Sequence, residues 1–257
     1  MLKMIEKWRY LITEGNSAAK NMAIDKAVLI ANSENKASPT VRFYNWAPPA
    51  ISIGYFQNLE EEVDLLNCEK SGVDYVRRIT GGGAVFHEKE LTYSIVIPES
   101  HHEISKNIME SYGKICGAII RGLKQLGINS EYLPINDILH KGKKISGNAQ
   151  TRKLKTVLQH GTVILDVDVD KMFSVLRVPN EKIKDKMISD VKQRVTSIKH
   201  ILGKEIAFSD ATVAMKKGFE EEFDIELVEG VLTDYELNLT EKFEKEYFRA
   251  KDWNFKR

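Results

Sequence analysis

The chain has 257 residues, 42% of them hydrophobic, and its 38 Lys and Arg residues nearly balance 37 Asp and Glu residues, which gives a net charge of +1. This length is enough for one large domain, and the near-zero charge argues against a protein that mainly binds nucleic acid. No stretch reaches the roughly 18 apolar residues of a membrane span, and residues 1–7 lack the apolar segment of a secretion signal. We therefore expect a cytoplasmic protein with neither a nucleic-acid nor a membrane partner.

The hydrophobic pattern predicts strands where apolar residues alternate and helices where they recur every three or four residues. In the first half we predict a strand over 8–12, a helix from an Asn16 or Ser17 cap to Leu29, strands over 41–46, 51–53, 73–78 and 91–97, and a helix over 104–126 ended by Gly127. In the second half we predict strands over 131–133, 137–139, 144–149 and 157–165 with a hairpin turn at Gly142, charged helices from Asp168 onward, a strand over 225–228 and a helix over 233–250. This mixture predicts a single α+β domain over 1–257, with mixed, largely antiparallel sheets flanked by helices.

A run of glycines follows the fourth predicted strand. Arg77 and Arg78 precede Gly81, Gly82 and Gly83, and an apolar step of Ala84, Val85 and Phe86 then leads to His87. Glycine lets the backbone approach a ligand closely, and an arginine fork matches a carboxylate or phosphate. A tight hairpin turn is the alternative interpretation of the glycines, and the run is neither a Walker A loop nor a dinucleotide fingerprint.

A second polar cluster comprises Asn136 and Asp137, followed by Lys143, Lys144, Ser146 and Gly147. Two adjacent lysines on a strand point to opposite faces, so one of them can face a cleft and stabilise developing negative charge. Asp137 is a candidate Mg²⁺ ligand or ribose partner. A polar hairpin with solvated lysines is the alternative.

A third cluster is His160 and Gly161, inside the apolar strand over 157–165. A glycine within a strand often marks close approach of another group. A structural, hydrogen-bonded histidine is the alternative for His160, and the same alternative holds for His87. The two cysteines, Cys68 and Cys116, lack the spacing of a zinc site, and we expect free thiols.

Together these clusters resemble the lipoate–protein ligase and octanoyltransferase family, whose catalytic fold is shared with biotin–protein ligases. The resemblance covers nearly the whole chain and includes Asn21–Asp25, Ser52–Gln57, the arginine and glycine run, Lys144–Gln150 and Trp253–Phe255. A biotin ligase is less favoured because its glycine motif differs.

The resemblance implies roles for the clustered residues. It implies that Lys144 lies at the acyl carbonyl and aids attack by a lysine of an acceptor lipoyl domain or a glycine-cleavage H-like protein. It also implies that Arg78 meets a carboxylate or phosphate, and that Asp137 with Asn136 places Mg²⁺ and ATP. It further implies that Gly81 to Phe86 wrap the adenylate phosphate and the acyl group, and that Gly54, Tyr55 and His87 line the pocket for the lipoyl or octanoyl tail. It implies that His160 supports the Lys144 strand from the far wall. Ser146 and Gly147 are expected to let the backbone pass close to the ligand.

Two departures bear on the subtype. Some members of the family carry the acyl group on a cysteine shortly before the Asn-Asp-Lys cluster, but residues 127–137 contain no cysteine. Many ligases also have an accessory domain after the Trp-Asn-Phe element, whereas this sequence ends at Arg257, so we expect that domain to be absent or supplied by a separate subunit.

We accordingly expect an ATP-dependent lipoate–protein ligase that forms lipoyl- or octanoyl-adenylate. Two alternatives stay open: a transferase that uses acyl carrier protein without ATP, and a non-catalytic protein that binds lipoyl-adenylate.

Overall fold

The computed structural model describes residues 5–178 and 180–256. The expectations for the first four residues and for Arg257 lie outside the described residues. The strands are β1 (Glu6–Asn16), β2 (Thr40–Trp46), β3 (Ala50–Ile53), β4 (Asp74–Arg77), β5 (Val85–His87), β6 (Glu90–Pro98), β7 (Glu131–Leu133), β8 (Asp137–His140), β9 (Lys143–Lys153), β10 (Thr156–Ile164) and β11 (Ile225–Glu229). The helices are α1 (Ala18–Ser33), α2 (Leu59–Glu62), α3 (Leu65–Ser71), α4 (Ile108–Gln125), α5 (Val169–Val175), α6 (Glu181–Arg194), α7 (Ile198–Leu202), α8 (Phe208–Phe223), α9 (Asp234–Phe243) and α10 (Lys251–Asn254).

The large sheet of the described chain has eight strands in the order β11-β1-β2-β6-β10-β9-β8-β7. β1 pairs in parallel with β11 and β2, and the remaining neighbours are antiparallel. This arrangement confirms the predicted mixed, largely antiparallel α+β fold.

Helices cover both faces of this sheet. On one face, α4 and α8 pack together over a core that includes Met215, Phe219 and Phe223. On the other face lies α1, whose N-cap is Ser17. The glycines of α4 and α8 allow this close packing: a Cβ on Gly218 would lie 2.2 Å from the carbonyl oxygen of Ala118.

A small sheet in the order β4-β3-β5 carries the glycine run. β4 and β5 both pair with β3 rather than with each other. The run over 78–84 therefore crosses the end of β3, and the hairpin interpretation of the glycines is wrong. A true hairpin turn occurs instead between β8 and β9, where Lys141 and Gly142 both have positive φ.

Two predicted helices have different bounds in the structure. The long helix begins at Ile108 rather than Ile104, because the side chain of Asn107 caps the backbone N–H groups of Met109 and Glu110. The predicted helix over 233–250 is α9, capped by Thr233 and Glu236, followed by a π-helical turn over Glu244–Phe248. No helix in the described part of the chain has the length and apolar character needed to cross a membrane.

Candidate active site

A cavity of about 390 Å³ lies on the α1 face of the large sheet, between the ends of β9 and β2. Its volume is in the range of pockets that bind small organic molecules. The sequence-predicted residues that border it are Arg78, Gly82, Gly83, Ala84, Val85, Phe86, His87, Asn136, Lys144, Gly147 and His160. The three clusters, which are far apart in sequence, therefore meet at one cavity.

Arg78 borders the cavity but is buried, and its guanidinium is committed to the protein. Nη1 donates to the carbonyl and hydroxyl oxygens of Ser52, each at 2.7 Å, and Nη2 donates to the carbonyl oxygens of Gly81 and Gly83. Nε donates to Thr80 Oγ1 at 3.4 Å. Burial lowers the pKa of Arg78 to about 10. The donors of Arg78 are thus taken up by Ser52 on β3 and by residues 80–83 of the glycine loop, so the structure does not offer the predicted fork for a carboxylate or phosphate.

Three other predicted contacts also differ. Gly54 supports the glycine loop from behind, since a Cβ there would lie 1.9 Å from the carbonyl oxygen of Gly82. Tyr55 packs edge-on against Trp253, outside the cavity lining. Gly81 is likewise outside the lining, and its carbonyl accepts from Arg78.

Lys144 supplies the cation at the β9 end of the cavity. Its side chain lies across Gly147: a Cβ on that glycine would be 2.7 Å from Lys144 Cε and 2.8 Å from Nζ. The ammonium is 2.7 Å from Asp137 Oδ1, and the Lys144 side chain is 38% exposed. The backbone is held as well, because Thr196 N–H donates to the Lys144 carbonyl.

Asp137 serves Lys144 rather than a metal. Its Oδ1 is buried and forms no hydrogen bond of acceptable angle, so the contact with Lys144 is an ion pair without a directed hydrogen bond. The residues present do not fit the predicted Mg²⁺ site, because the one carboxylate proposed for it is already neutralised by an ammonium group.

The only group of three His, Cys, Asp or Glu side chains close enough for a metal, within the described ranges, is Glu6, His101 and His102. It lies outside the cavity lining. His101 Nδ1 accepts from the Glu103 N–H and Nε2 faces Glu6 Oε1 at 3.0 Å, so its ring is satisfied by hydrogen bonds.

Asn148, on β9, is hydrogen-bonded to β6 and to the residue that precedes β8. Its Oδ1 accepts from Tyr93 Oη at 2.7 Å, and its Nδ2 donates to the carbonyl of Asn136. The Asn136 Nδ2 donates back to the Asn148 carbonyl. Gly161 makes room for this side chain, since a Cβ there would lie 2.0 Å from Asn148 Oδ1. The predicted close approach at Gly161 is thus made by Asn148, and Ser146 lies buried outside the cavity lining.

His160 belongs to a buried polar network at the floor of the cavity. Its Nδ1 lies 3.1 Å from Asp25 Oδ2, and its Nε2 lies 2.7 Å from Thr80 Oγ1. Asp25 also accepts from Arg42 and Ser94. Burial lowers the pKa of His160, with Asp25 opposing part of that shift, so the imidazole is neutral at pH 7.

The pKa of Asp25 is lowered. Burial raises this pKa, but the hydrogen bond from His160 and the charge of Arg42 more than offset the burial. The structural, hydrogen-bonded interpretation of His160 therefore fits its contacts, although the ring also borders the cavity.

His87 joins Ser52 and Glu90 in a second buried chain. Nε2 lies 2.6 Å from Ser52 Oγ, and Nδ1 lies 2.6 Å from Glu90 Oε1. The order hydroxyl, imidazole, carboxylate resembles a nucleophilic triad. Ser52 is fully buried, however, and its Oγ accepts from Arg78, so this chain of groups braces the small sheet against the cavity.

The far wall of the cavity consists of residues that the sequence did not mark as site residues. Met22, Tyr44, Trp46 and Thr92 border it, and the Trp46 indole stacks on His87 with ring centroids 4.0 Å apart. In the sequence these residues have the pattern of ordinary core positions. Only the folded arrangement shows that they border the same cavity as Lys144. Two acidic residues that also border the cavity, Asp166 and Asp168, were not predicted from the sequence either.

Comparison with known proteins places this architecture in a family. A family model described as the lipoyl protein ligase A/B catalytic domain matches residues 17–220. The chain belongs to the lipoyl protein ligase A/B catalytic domain family. The expected resemblance is thereby confirmed.

Curated members of this family align with the chain over nearly its whole length. Octanoyltransferase LipM of Brevibacillus brevis is 37% identical, with 98% of this chain and 100% of the relative covered. Octanoyltransferase LipM of Clostridioides difficile is 36% identical, with the same coverage.

Solved structures of the family have the same fold. A chain from an archaeal lipoylation system of Thermoplasma acidophilum, with a bipartite lipoate protein ligase and its E2 lipoyl domain, superimposes with a TM-score of 0.87 at 29% identity, covering 97% of this chain and 96% of that chain. A lipoate-protein ligase A bound with ATP superimposes with a TM-score of 0.81 at 29% identity, covering 98% and 99%.

These similarities change which of the predicted activities is favoured. An enzyme of the ligase and transferase family is confirmed, but the octanoyltransferase names of the curated relatives favour the ATP-independent alternative over the predicted ligase. ATP is the ligand named for one solved structure of the family, the lipoate-protein ligase A.

Proposed function

We propose that this protein is an acyltransferase that moves an octanoyl or lipoyl group from a carrier-protein thioester to a lysine amine of an acceptor lipoyl domain, without ATP. The near full-length similarity to octanoyltransferases supports the reaction class. The E2 lipoyl domain that accompanies a ligase of the same fold supports the class of acceptor.

One observation carries the proposal: the Lys144 ammonium lies over Gly147 at one end of a cavity whose other end is apolar. A thioester carbonyl beside this ammonium places its acyl tail in the cavity. Positive charge at that point stabilises the oxyanion of a tetrahedral intermediate. Asp137 holds the ammonium by charge.

In the proposed step the acyl group moves from the thioester sulfur of the donor to the lysine nitrogen of the acceptor. The neutral amine of the acceptor lysine attacks the thioester carbonyl, an amide C–N bond forms, and the C–S bond breaks. The departing thiolate takes up the proton that the attacking amine loses. An enclosed acyl tail keeps water from the activated carbonyl, which limits hydrolysis.

The thiols of this chain are poorly suited to a covalent intermediate. Cys68 and Cys116 are both buried, and neither borders the cavity. Burial raises the pKa of Cys68 to about 11 and that of Cys116 to about 12. Because the thiolate is the nucleophilic form, we propose direct transfer between donor and acceptor.

A paired assay tests the proposal. The protein is incubated with one acceptor lipoyl domain and either octanoyl acyl carrier protein or ATP, Mg²⁺ and free octanoate, with intact-mass spectrometry of the acceptor as the readout. We expect octanoylation with the carrier protein and none with ATP.

The other outcomes are equally definite. Modification with ATP and free acid alone, with or without an added accessory subunit, overturns the proposal in favour of the ligase. Modification from neither donor, with octanoate still bound, indicates a non-catalytic binding protein. A double variant, Cys68→Ala with Cys116→Ala, is expected to keep the carrier-dependent activity, and its loss would contradict direct transfer.

A further inference from the structure

A chain of hydrogen-bonded side chains runs from β9 across β10 to β6 and returns to β9. Arg152 Nε donates to Gln150 Oε1 at 3.3 Å, and Gln150 Nε2 donates to Gln159 Oε1 at 3.0 Å. Gln159 Nε2 donates to Tyr93 Oη at 2.9 Å. Tyr93 Oη in turn donates to Asn148 Oδ1 at 2.7 Å. We call this series of side chains the hydrogen-bond chain.

The first member fixes the direction of every bond in the hydrogen-bond chain. An arginine only donates, so Gln150 presents its oxygen to Arg152 and its amino group to Gln159. Gln159 then donates to Tyr93, which leaves the hydroxyl proton of Tyr93 for Asn148. Burial raises the pKa of Tyr93 well above its usual range, so the hydroxyl keeps this proton near pH 7. Gln159, Tyr93 and Asn148 are buried, and a reversed amide would leave an unpaired polar group in the core.

The hydrogen-bond chain ends at Asn136, which borders the cavity and directly precedes Asp137, the partner of Lys144. Because Asn148 Oδ1 accepts from Tyr93, Asn148 Nδ2 is the group that donates to the Asn136 carbonyl, at 2.9 Å. Asn136 Nδ2 donates back to the Asn148 carbonyl at 2.7 Å, since the opposite orientation would place two oxygens against each other. Asn136 Oδ1 makes no hydrogen bond with the described residues and is not a buried atom, so a ligand can reach it.

The atom that the hydrogen-bond chain leaves open is an acceptor, and the attacking amine of the proposed reaction is a donor. We infer that Asn136 Oδ1 accepts an N–H of the acceptor lysine amine and so turns the lone pair of that nitrogen toward the acyl carbonyl at Lys144. The inference rests on the proposed function. It adds no covalent step, and the proton that the amine loses still goes to the departing thiolate. Lys144 acts on the carbonyl, whereas Asn136 acts on the nucleophile.

Transfer to two kinds of nucleophile tests this role. Wild type, Asn136→Ala and Lys144→Ala receive octanoyl acyl carrier protein with either the acceptor lipoyl domain or N-acetylcysteamine, whose thiolate has no hydrogen to donate. Mass spectrometry follows formation of the octanoyl amide and the new thioester above the uncatalysed rate. We expect Asn136→Ala to lower transfer to lysine by about 10²-fold, as misplacing a reactant does, but transfer to the thiol by only a few-fold. Lys144→Ala should slow both transfers.

Tyr93→Phe tests the hydrogen-bond chain without altering a residue that borders the cavity. Loss of the hydroxyl frees the Asn148 amide, and we expect kcat for the lysine to fall by about 5-fold with an unchanged Kd for octanoate. Tyr112→Phe is the matched control, because the hydroxyl of this buried tyrosine accepts from the backbone N–H of Gln150 and is not a link in the hydrogen-bond chain. It should lower stability and leave kcat at the wild-type value.

The tyrosine pair decides the matter if Asn136→Ala fails to fold or if wild type does not use the thiol. Equal slowing of both nucleophiles in Asn136→Ala, slowing of neither, or equal kcat losses in Tyr93→Phe and Tyr112→Phe overturns the inference. A raised KM for the carrier protein with an unchanged kcat in Asn136→Ala assigns Oδ1 to the donor and also overturns it.

Failure of the proposed function gives a different result. A wild-type protein that octanoylates the lysine only with ATP and free octanoate overturns the proposed function. The comparison of Tyr93→Phe with Tyr112→Phe, made with that donor, then still decides the inference, because the same amine attacks. A protein that modifies the lysine from neither donor overturns both.

Discussion

Lys144 lies where it does because Gly147 has no side chain. The ammonium and Cε occupy the space that a Cβ at Gly147 would need, and Asp137 holds the charge at 2.7 Å. Gly161 acts in the same way for Asn148. Gly147 and Gly161 are therefore needed because they leave space for the polar side chains of Lys144 and Asn148, and not because the backbone turns at these positions.

Removing the Lys144 ammonium tests its role as a fixed charge. We expect Lys144→Ala to lower kcat for octanoyl transfer by about 10²- to 10³-fold, as loss of one oxyanion-stabilising group does. Octanoate affinity should change by only a few-fold, because the apolar end is untouched. Steady-state kinetics and calorimetric titration measure the two effects.

Neighbouring variants provide the controls for this prediction. Lys143→Ala removes the adjacent charge and should leave kcat within about two-fold of wild type, since alternate residues of a strand face opposite sides. Gly147→Ala keeps the lysine but displaces it, and its effect on kcat should not add to that of Lys144→Ala. Fully additive losses would show that Gly147 acts independently of the lysine.

At the scale of elements, the glycine loop between β4 and β5 is an internally bonded unit. Arg78 gathers the carbonyl groups of Gly81 and Gly83, and Gly54 at the end of β3 supports Gly82 from behind. The sequence pattern predicted that this loop lies at the site, and in the structure Gly82 and Gly83 border the cavity. The pattern could not show that the arginine binds the loop itself, because that depends on Ser52 lying beside it.

Two glycine substitutions test whether the loop needs Gly54 for close packing against Gly82 or needs glycine only for a flexible backbone. Gly54→Ala is expected to destabilise the protein by roughly 1–3 kcal/mol and to weaken octanoate binding, because the added Cβ overlaps a backbone oxygen. Gly81→Ala, where no atom lies within 4 Å of the added Cβ and φ is not positive, should be close to neutral. Urea unfolding and calorimetry give both quantities, and equal losses in the two variants would contradict this account.

At the scale of the whole molecule, one buried polar network connects α1, β2, β10 and the glycine loop. Arg42 bonds Asp25, Asp25 faces His160, and His160 faces Thr80. Such a network is stable only when its members are all satisfied, so it ties the two sheets into a single arrangement.

The network makes stability depend on pH in a defined direction. The folded-state pKa of His160 is lowered by burial, so below about pH 6.5 the unfolded chain binds a proton that the folded chain does not. The free energy of unfolding should therefore fall as pH drops below that value. Asp25, whose folded pKa is also lowered, adds a further loss below about pH 4.

Urea unfolding between pH 7.5 and pH 5 measures the His160 contribution. His160→Gln, which retains a donor and an acceptor, should reduce the fall in stability over this range. His200→Gln replaces an exposed histidine and should leave the fall almost unchanged. The same pH dependence in wild type and His160→Gln would show that His160 is not the responsible group.

The sequence by itself determined the α+β class, most elements and the family, and it predicted Lys144 and the glycine run as site residues, because these depend on local periodicity and short motifs. Only the tertiary structure decided that Arg78 and Asp137 are engaged by other protein groups, that Tyr55 lies elsewhere, and that Met22, Tyr44 and Trp46 close the cavity. The physical reason is register: Tyr44, Thr92, Thr162 and Gly147 are far apart in the chain and become one surface only when β2, β6, β10 and β9 pair.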